Sequence, residues 1–321
     1  MMWHRLLSVV LLLPLFTGVG CQRETTGKHS TGGKPIVVSR TYQGSRPIKV
    51  TCTIGMVADI VRNVGGDLVK IEQMLGEGSD PHTHIVTNVD LIMLDNADII
   101  FYSGLHLEGK MTDTLERLAS KKPTFAVTEY LDAKQLLRDE HDHPDPHVWF
   151  DVELWSDVAR IMGEVLALYD PTNADTYKKN TAAYRAELSK LHEETKTQIA
   201  TIPPDQCVLI TSHDAFRYFG RAYKIEVKGV QGISTETQAS LREVNQLVDF
   251  IVARKVKAVF VETSVNQRNM ESLRQGCKSR KHDVALGGEL FSDAMGSVGE
   301  PTGTYVGMIR HNVDTIVKAL R

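Results

Sequence analysis

Histidines and carboxylates are concentrated in one short stretch of the chain, DEHDHPDPHVWFD (139–151), which carries three histidines within seven residues. Such groups can bind a divalent metal ion, although a loop of this composition can also be a solvated surface. The tripeptide Asp-Pro-His occurs here at 145–147 and earlier at 80–82. Because proline fixes its own φ and holds the preceding residue extended, each tripeptide presents its histidine, His82 or His147, on a rigid turn. The aspartate before it can accept the ring N–H, which sets the tautomer.

Two further candidate ligands lie in the C-terminal half of the chain. His213 follows the run QCVLITS, and Asp293 follows the run DVALGGE by a few residues. Ligands of open parallel sheets bind beyond the carboxyl ends of the strands, so both side chains are predicted to reach the same cleft as the two Asp-Pro-His histidines. For each of them, capping of a following helix is the alternative.

Three histidines and one aspartate make a four-coordinate site suited to Zn²⁺, and a bidentate carboxylate also serves Mn²⁺ or Fe²⁺. His141 and His143 are interpreted as a mobile segment before the site, with a metal-gathering role as the alternative. Trp149 and Phe150 are expected either to wall the site or to pack in the core. The remaining loop histidines are interpreted as surface residues: His84, His192, His282 and His311.

The elements that must position these residues alternate between short β-branched runs and longer segments of helical periodicity, which is typical of βαβ units. The first four predicted strands and the last four are each expected to form a mainly parallel four-stranded sheet, which makes the fold class α/β with two lobes. The predicted strands are 48–54, 68–74, 97–103, 124–129, 206–212, 225–230, 256–262 and 283–289.

Between the two sets of strands, the chain runs from Asn173 to Ile202 without glycine or proline and then reaches Pro203-Pro204. This pattern predicts one long rigid helix, which at 1.5 Å per residue extends about 45 Å. We therefore divide the body into an N-terminal lobe (47–170), a linker helix (171–204) and a C-terminal lobe (205–321).

The N-terminus has the layout of an export signal, with a basic residue, a mostly apolar run of eleven residues from Leu6 to Phe16 and small residues leading to Cys21. The apolar run is too short to span a bilayer, which needs about 20 residues. The sequence GVGC predicts that the signal (1–21) ends at a lipidated Cys21, with ordinary cleavage or a retained anchor as alternatives. The polar segment 22–46 is interpreted as a flexible tether, so that folded structure begins near Ile48.

Composition excludes one class of function. The net charge is −3 and no basic stripe is present, so no nucleic-acid partner is expected.

Three cysteines other than Cys21 lie far apart in the sequence, at Cys52, Cys207 and Cys277. We interpret them as small buried hydrophobic residues, with a Cys207–Cys277 disulfide as the alternative.

Seven motifs occur between about Ile48 and Leu320: DPHTH, ADIIFYSGLHLE, DPHVWFD, TSHDAFRYFGRAY, GISTETQAS, FVETSVNQR and LFSDAMG. With them the chain resembles the solute-binding lipoproteins of ABC transporters for zinc or manganese, cluster A-I. That resemblance implies two α/β lobes bridged by a long helix, and metal ligands at His82, His147, His213 and Asp293. The long His/Asp-rich loop of zinc-uptake members is reduced here to DEHDH, which favours manganese or broad selectivity.

The resemblance also implies a function. We expect an exported, membrane-anchored monomer that captures Zn²⁺ or Mn²⁺, with Fe²⁺ as a further candidate, and delivers it to an ABC permease and its ATPase. One alternative is a zinc-dependent hydrolase, but the chain has no HExxH motif and four protein ligands leave no open coordination position. The other alternative is an adhesin stabilised by a structural metal.

Overall fold

The computed structural model describes residues 33–321 and the backbone of residues 25–27. The eight strands expected from the sequence are all present, with bounds that differ by up to three residues, and two more precede them. The strands are β1 (Thr25–Gly27), β2 (Ile36–Val38), β3 (Ile48–Cys52), β4 (Val69–Gln73), β5 (Ile99–Tyr102), β6 (Thr124–Ala126), β7 (Val208–His213), β8 (Glu226–Gln231), β9 (Ala258–Glu262) and β10 (Ala285–Leu290).

Helices connect most of these strands. The helices are α1 (Gly55–Gly65), α2 (Asn88–Asn96), α3 (Thr112–Ala119), α4 (Val152–Tyr169), α5 (Ala174–Ile199), α6 (Arg217–Tyr223), α7 (Leu241–Arg254), α8 (Arg268–Ser279) and α9 (Tyr305–Leu320). In the part of the chain that the structure describes, no helix is both long enough and apolar enough to cross a membrane.

The first lobe contains the expected four-stranded sheet, in the order β4-β3-β5-β6 with every pair parallel. Its central strands β3 and β5 are almost fully buried, with Lys49 of β3 as the exposed exception, as expected for strands covered by helices on both faces. At the carboxyl end of β4 the chain turns through the first Asp-Pro-His and enters α2 at a capping box, in which Thr87 and Asp90 bind each other's backbone amides.

The second lobe differs from the expectation of one four-stranded sheet, which was wrong. Its strands form two separate parallel pairs, β7 with β8 and β9 with β10. At the carboxyl end of β7, the amide of His213 donates to Glu262 Oε1 (2.9 Å) at the end of β9, so a side chain occupies a position that a backbone carbonyl takes in a continuous ladder. A buried polar contact therefore accompanies the division of the sheet.

The long helix is present as α5, whose 26 residues extend about 39 Å. Its buried residues recur every three or four positions, so one stripe packs against α4, α1 and α9. From this stripe the hydroxyl of Tyr184 donates to Asp59 Oδ2 of α1 at 2.7 Å, which ties the helix to the first lobe. The sequence-based predictions missed α4, although its polar residues Glu153, Asp157, Arg160 and Glu164 recur at helical spacing along one less buried face.

Folded structure begins before Ile48, contrary to the expectation of a tether up to residue 46. The side chains of Ile36 and Val38 are fully buried, and β2 pairs antiparallel with β1. Further along, Arg46 forms an ion pair with the buried Asp170. The predicted signal 1–21, with Cys21, lies outside the described residues.

The three cysteines Cys52, Cys207 and Cys277 are all free, so the alternative disulfide does not form. Cys207 is only half-buried.

Helices α4 and α5 pack closely enough to require a glycine at their contact. A Cβ added to Gly163 of α4 would lie 2.1 Å from Thr181 Oγ1 of α5, whereas one added to the exposed Gly76 would meet nothing within 4 Å. We expect Gly163→Ala to lower the free energy of unfolding by about 1–3 kcal/mol and Gly76→Ala to change it by less than about 0.5 kcal/mol. Urea unfolding of the metal-free protein measures both, and equal midpoints for the two variants would contradict the close contact.

Candidate metal centre

Four side chains predicted from the sequence converge at one point between the lobes. His82 and His147 come from loops of the first lobe, and His213 and Asp293 come from the carboxyl ends of β7 and β10 or just beyond. One donor atom from each lies within 4.8 Å of all the others, and all four residues are buried. Neither of the helix-capping alternatives applies, because α6 has no side-chain cap and the next α-helix after Asp293, α9, begins at Tyr305 and is capped by Thr304.

Four distances between the donor atoms match the edges of a tetrahedral metal site. His147 Nε2 lies 3.3 Å from the Nε2 atoms of both His82 and His213. The carboxylate of Asp293 approaches His147 Nε2 at 3.4 Å and His213 Nε2 at 3.3 Å, through different oxygens. A tetrahedral Zn²⁺ with ligands at 2.0–2.1 Å has its donors about 3.3–3.4 Å apart. The cluster therefore has the dimensions of a coordination shell.

One atom of the cluster shows directly that it suits a cation. Asp293 Oδ1 is buried and accepts no hydrogen bond from the described residues, because its approach to His147 Nε2 is longer than a normal hydrogen bond. A buried carboxylate oxygen without a donor is costly. A divalent ion bound between the imidazoles would satisfy it.

Outer carboxylates orient two of the three imidazoles. His147 Nδ1 lies 2.8 Å from Asp145 Oδ1, as expected for the aspartate of an Asp-Pro-His motif. His213 Nδ1 lies 2.5 Å from Glu262 Oε2. In both, the bound Nδ1 carries the proton and leaves Nε2 free to face the centre. The first motif differs, because Asp80 accepts a hydrogen bond from the backbone amide of His82 (2.9 Å).

Glu262 is the functional residue that sequence reasoning missed. It ends strand β9 inside the quoted motif FVETSVNQR, and it is almost completely buried. The rule that polar side chains at strand ends point to a site applies to Glu262 as well as to His213.

Burial and charge shift the pKa values of the cluster in opposite directions. Desolvation lowers the pKa of His82 to about 4. Desolvation also opposes charge on His213, but the carboxylates of Glu262 and Asp293 outweigh it and hold its pKa well above the usual value. For His147, desolvation also opposes the charged form, but the carboxylates of Asp145 and Asp293 outweigh it and raise the pKa. Desolvation works against the charged form of Asp293, yet the imidazoles of His213 and His147 hold its pKa well below its usual range.

The surroundings of the centre are apolar on one side and open on the other. Trp149 is fully buried with its ring 5.3 Å from that of His147, and Phe150 stacks on Phe216 of the second lobe, so both aromatic residues belong to the core beside the site. On the opposite side a cavity of about 1010 Å³ reaches His82. Its lining includes His141 and His143, which are exposed.

Among residues 33–321, the other histidines interpreted from the sequence do not lie at the centre. His84 contacts Asp90 at the start of α2, and His192 contacts Tyr223. His282 and His311 each lie within hydrogen-bond distance of a backbone carbonyl of the second lobe. His141 and His143 occupy an ordered turn in which both backbone amides donate to Asp139.

Residues 50–319 match the model of a protein family described as zinc-uptake complex component A, periplasmic (ZnuA). The chain belongs to this family. The ZnuA family comprises solute-binding components of ABC transporters rather than enzymes, so the hydrolase alternative is set aside. A permease partner and a location outside the cytoplasm follow from this membership.

Individual ZnuA-type relatives match along nearly the whole chain. The zinc-binding protein TroA of Treponema pallidum is 41% identical over 320 residues, which is 100% of this chain and 99% of the relative. The manganese-binding lipoprotein MntA of Bacillus subtilis is 39% identical over 316 residues, which is 98% of this chain and 99% of the relative. A solved structure of the Treponema pallidum periplasmic zinc-binding protein superposes with a TM-score of 0.83 at 44% identity, covering 86% of this chain and 99% of that one.

The raised pKa values predict proton-coupled metal binding. An ion can bind Nε2 of His147 or His213 only after the proton there has left, and a raised pKa extends the protonated form to higher pH. Metal affinity should therefore be highest above the raised pKa values and should fall as the pH decreases, by up to about 100-fold per pH unit where two protons compete. His82, with its pKa near 4, adds no competition near neutrality. Chelator-competition titrations from about pH 8 to pH 6 test this, and a flat profile would contradict it.

The contact between Glu262 and His213 predicts an outer residue that controls affinity. Glu262→Gln keeps the size of the side chain but removes the charge that holds the imidazole, so we expect metal affinity to fall about 10–100-fold. The exposed Glu226→Gln on β8 is the matched control and should leave affinity within about twofold. Isothermal titration calorimetry compares the two, and unchanged affinity in Glu262→Gln would show that His213 does not need this partner.

Proposed function

We propose that this protein captures a divalent transition metal ion, Zn²⁺ or Mn²⁺, between its lobes outside the cytoplasm and delivers it to an ABC permease. The observation that carries the proposal is the set of four buried donor atoms, two from each lobe, spaced like the corners of a tetrahedral coordination shell. His82, His147, His213 and Asp293 are the proposed ligands.

The arrangement explains how capture and release can be linked to conformation. An ion bound by both lobes stabilises the closed form, because separating the lobes removes half of its ligands. The bracing of α5 against α1, α4 and α9 limits that separation to a small movement. The protein then exchanges between a closed conformation that holds the ion and an open conformation that releases it. Binding to the permease needs only to stabilise the open conformation.

The choice of metal rests on ligand chemistry and on the named properties of relatives. The relatives at 41% and 39% identity are named for zinc and for manganese, respectively. Three imidazoles favour Zn²⁺ in affinity, whereas the carboxylate of Asp293, with one oxygen that accepts no hydrogen bond, can become bidentate and serve Mn²⁺. We therefore propose that both ions bind and that Zn²⁺ binds more tightly.

The organisation of the chain completes the proposal. Residues 1–21 direct export, and Cys21 carries a lipid that anchors the protein to the membrane. The lobes span 47–170 and 205–321, joined by the linker 171–204. The protein acts as a monomer, and the ATPase that drives transport binds the permease.

Removing a proposed ligand tests the function directly. In calorimetric titrations we expect the wild-type protein to bind one equivalent of Zn²⁺ or Mn²⁺. His147→Ala should lower affinity beyond the about 100-fold that the loss of an outer partner causes, because a donor atom itself is removed. His311→Ala, on the surface of α9, should leave affinity within about twofold. Absence of binding by the wild-type protein, or full binding by His147→Ala, would refute the proposed function.

A further inference from the structure

The aspartates of the two Asp-Pro-His motifs both reach across the cleft. Asp80 accepts the amide of His82 on Oδ1 and the hydroxyl of Thr235, in the second lobe, on Oδ2 at 2.6 Å. Asp145 accepts the amide of His147 on Oδ1, and its backbone carbonyl accepts the hydroxyl of Tyr218 of the second lobe at 2.9 Å. Each motif therefore fixes its own histidine and also holds the opposite lobe.

The edge of the cleft at Asp145 is closed by buried contacts. The hydroxyl of Tyr218 also accepts a hydrogen bond from the amide of Leu137 (3.0 Å), and the ring of Phe150 stacks on Phe216 with centroids 4.1 Å apart. The indole of Trp149 donates to the carbonyl of Ser292 at 3.0 Å. Opening this edge would break buried hydrogen bonds and separate packed aromatic rings, both of which are costly.

The edge at Asp80 is built differently. Here the second lobe contributes the segment Gly232–Gln238, which we call the strap, and its residues are exposed or half-exposed. The cavity of about 1010 Å³ is lined by strap residues including Ile233 and Ser234, and a second cavity of about 240 Å³ is lined by Asp80 and Thr235. Cavities therefore border the strap on two sides, so little packing has to be broken when it moves.

Two polar contacts of the strap reach the first lobe. Glu236 faces Lys110 at 3.8 Å, but their side chains are 43% and 50% exposed, and solvent screens such a pair. The contact of Thr235 with Asp80 is a hydrogen bond to a carboxylate, which is stronger than one between neutral groups. Moreover, the same carboxylate holds the amide of His82, so this one contact connects the strap to a ligand of the metal centre.

We propose that the strap is the gate through which metal enters and leaves, and that the hydrogen bond between Thr235 and Asp80 is the latch that keeps it closed. This inference rests on the proposed function and specifies which edge of the cleft opens. The edge at Asp145 acts as the pivot, while the edge at Asp80 opens. When the latch breaks, His82 loosens first, and His147 and His213 keep their outer carboxylates.

The test separates the latch hydroxyl from the shape of the side chain. Thr235→Val keeps the branched shape and removes the hydroxyl, whereas Thr235→Ser keeps the hydroxyl. Dissociation of Zn²⁺ and of Mn²⁺ is measured by rapid mixing of loaded, purified protein with excess chelator. We expect Thr235→Val to raise the dissociation rate about tenfold or more and Thr235→Ser to stay within about threefold of the wild-type rate.

A matched control on the same segment is Glu236→Gln, which removes the screened ion pair and should leave the dissociation rate within about twofold. A second readout needs no metal: in the metal-free protein, hydrogen exchange of peptides covering the strap should be faster in Thr235→Val than in Glu236→Gln. Wild-type binding combined with an unaltered dissociation rate in Thr235→Val would overturn the latch alone. Failure of the wild-type protein to bind either ion would overturn both the latch and the proposed function.

Discussion

The structure depends on one constraint, which is that three imidazoles and a carboxylate must be held at contact distance inside a buried space. Imidazole nitrogens 3.3 Å apart repel each other when both rings are protonated, and an unpaired carboxylate there is costly. The chain meets this constraint with outer carboxylates. Asp145 and Glu262 bind the far sides of His147 and His213, so that each ring is fixed before any ion arrives.

One of these outer carboxylates also binds the backbone of the second lobe. Glu262 takes the backbone amide of His213 as well as its ring, so the ends of β7 and β9 are joined through a side chain. The strands of the second lobe form two pairs, β7 with β8 and β9 with β10, and this contact lies between the two pairs. The residue that orients a ligand of the metal centre therefore also joins the two pairs of strands.

The features that could be predicted from the sequence are those that a short motif or a position along the chain reveals. The repeated Asp-Pro-His motif and the strand-end positions of His213 and Asp293 identified all four residues of the cluster. The division of the second sheet has no such signal, because it depends on which strands pair with each other across long connections. Likewise the burial of Ile36 and Val38 in the polar segment 22–46 depends on tertiary packing and has no local signal. Helix α4 differs from both cases, because its polar residues Glu153, Asp157 and Arg160 recur at helical spacing, so it had a local signal although it was not predicted.

The outer contacts also determine which part of the centre can adapt to different ions. His147 and His213 are each fixed by a short contact on Nδ1, so moving either ring breaks a buried bond. Asp293 has an oxygen that accepts no hydrogen bond, and it can turn from one-oxygen to two-oxygen binding without such a loss. Mn²⁺ prefers more than four donor atoms, so two-oxygen coordination by Asp293 favours its binding. Zn²⁺ is stable with four donors and does not need the second oxygen. Because affinity alone favours Zn²⁺ at a nitrogen-rich site, any preference for Mn²⁺ must arise from this carboxylate and from the movement of the lobes around it.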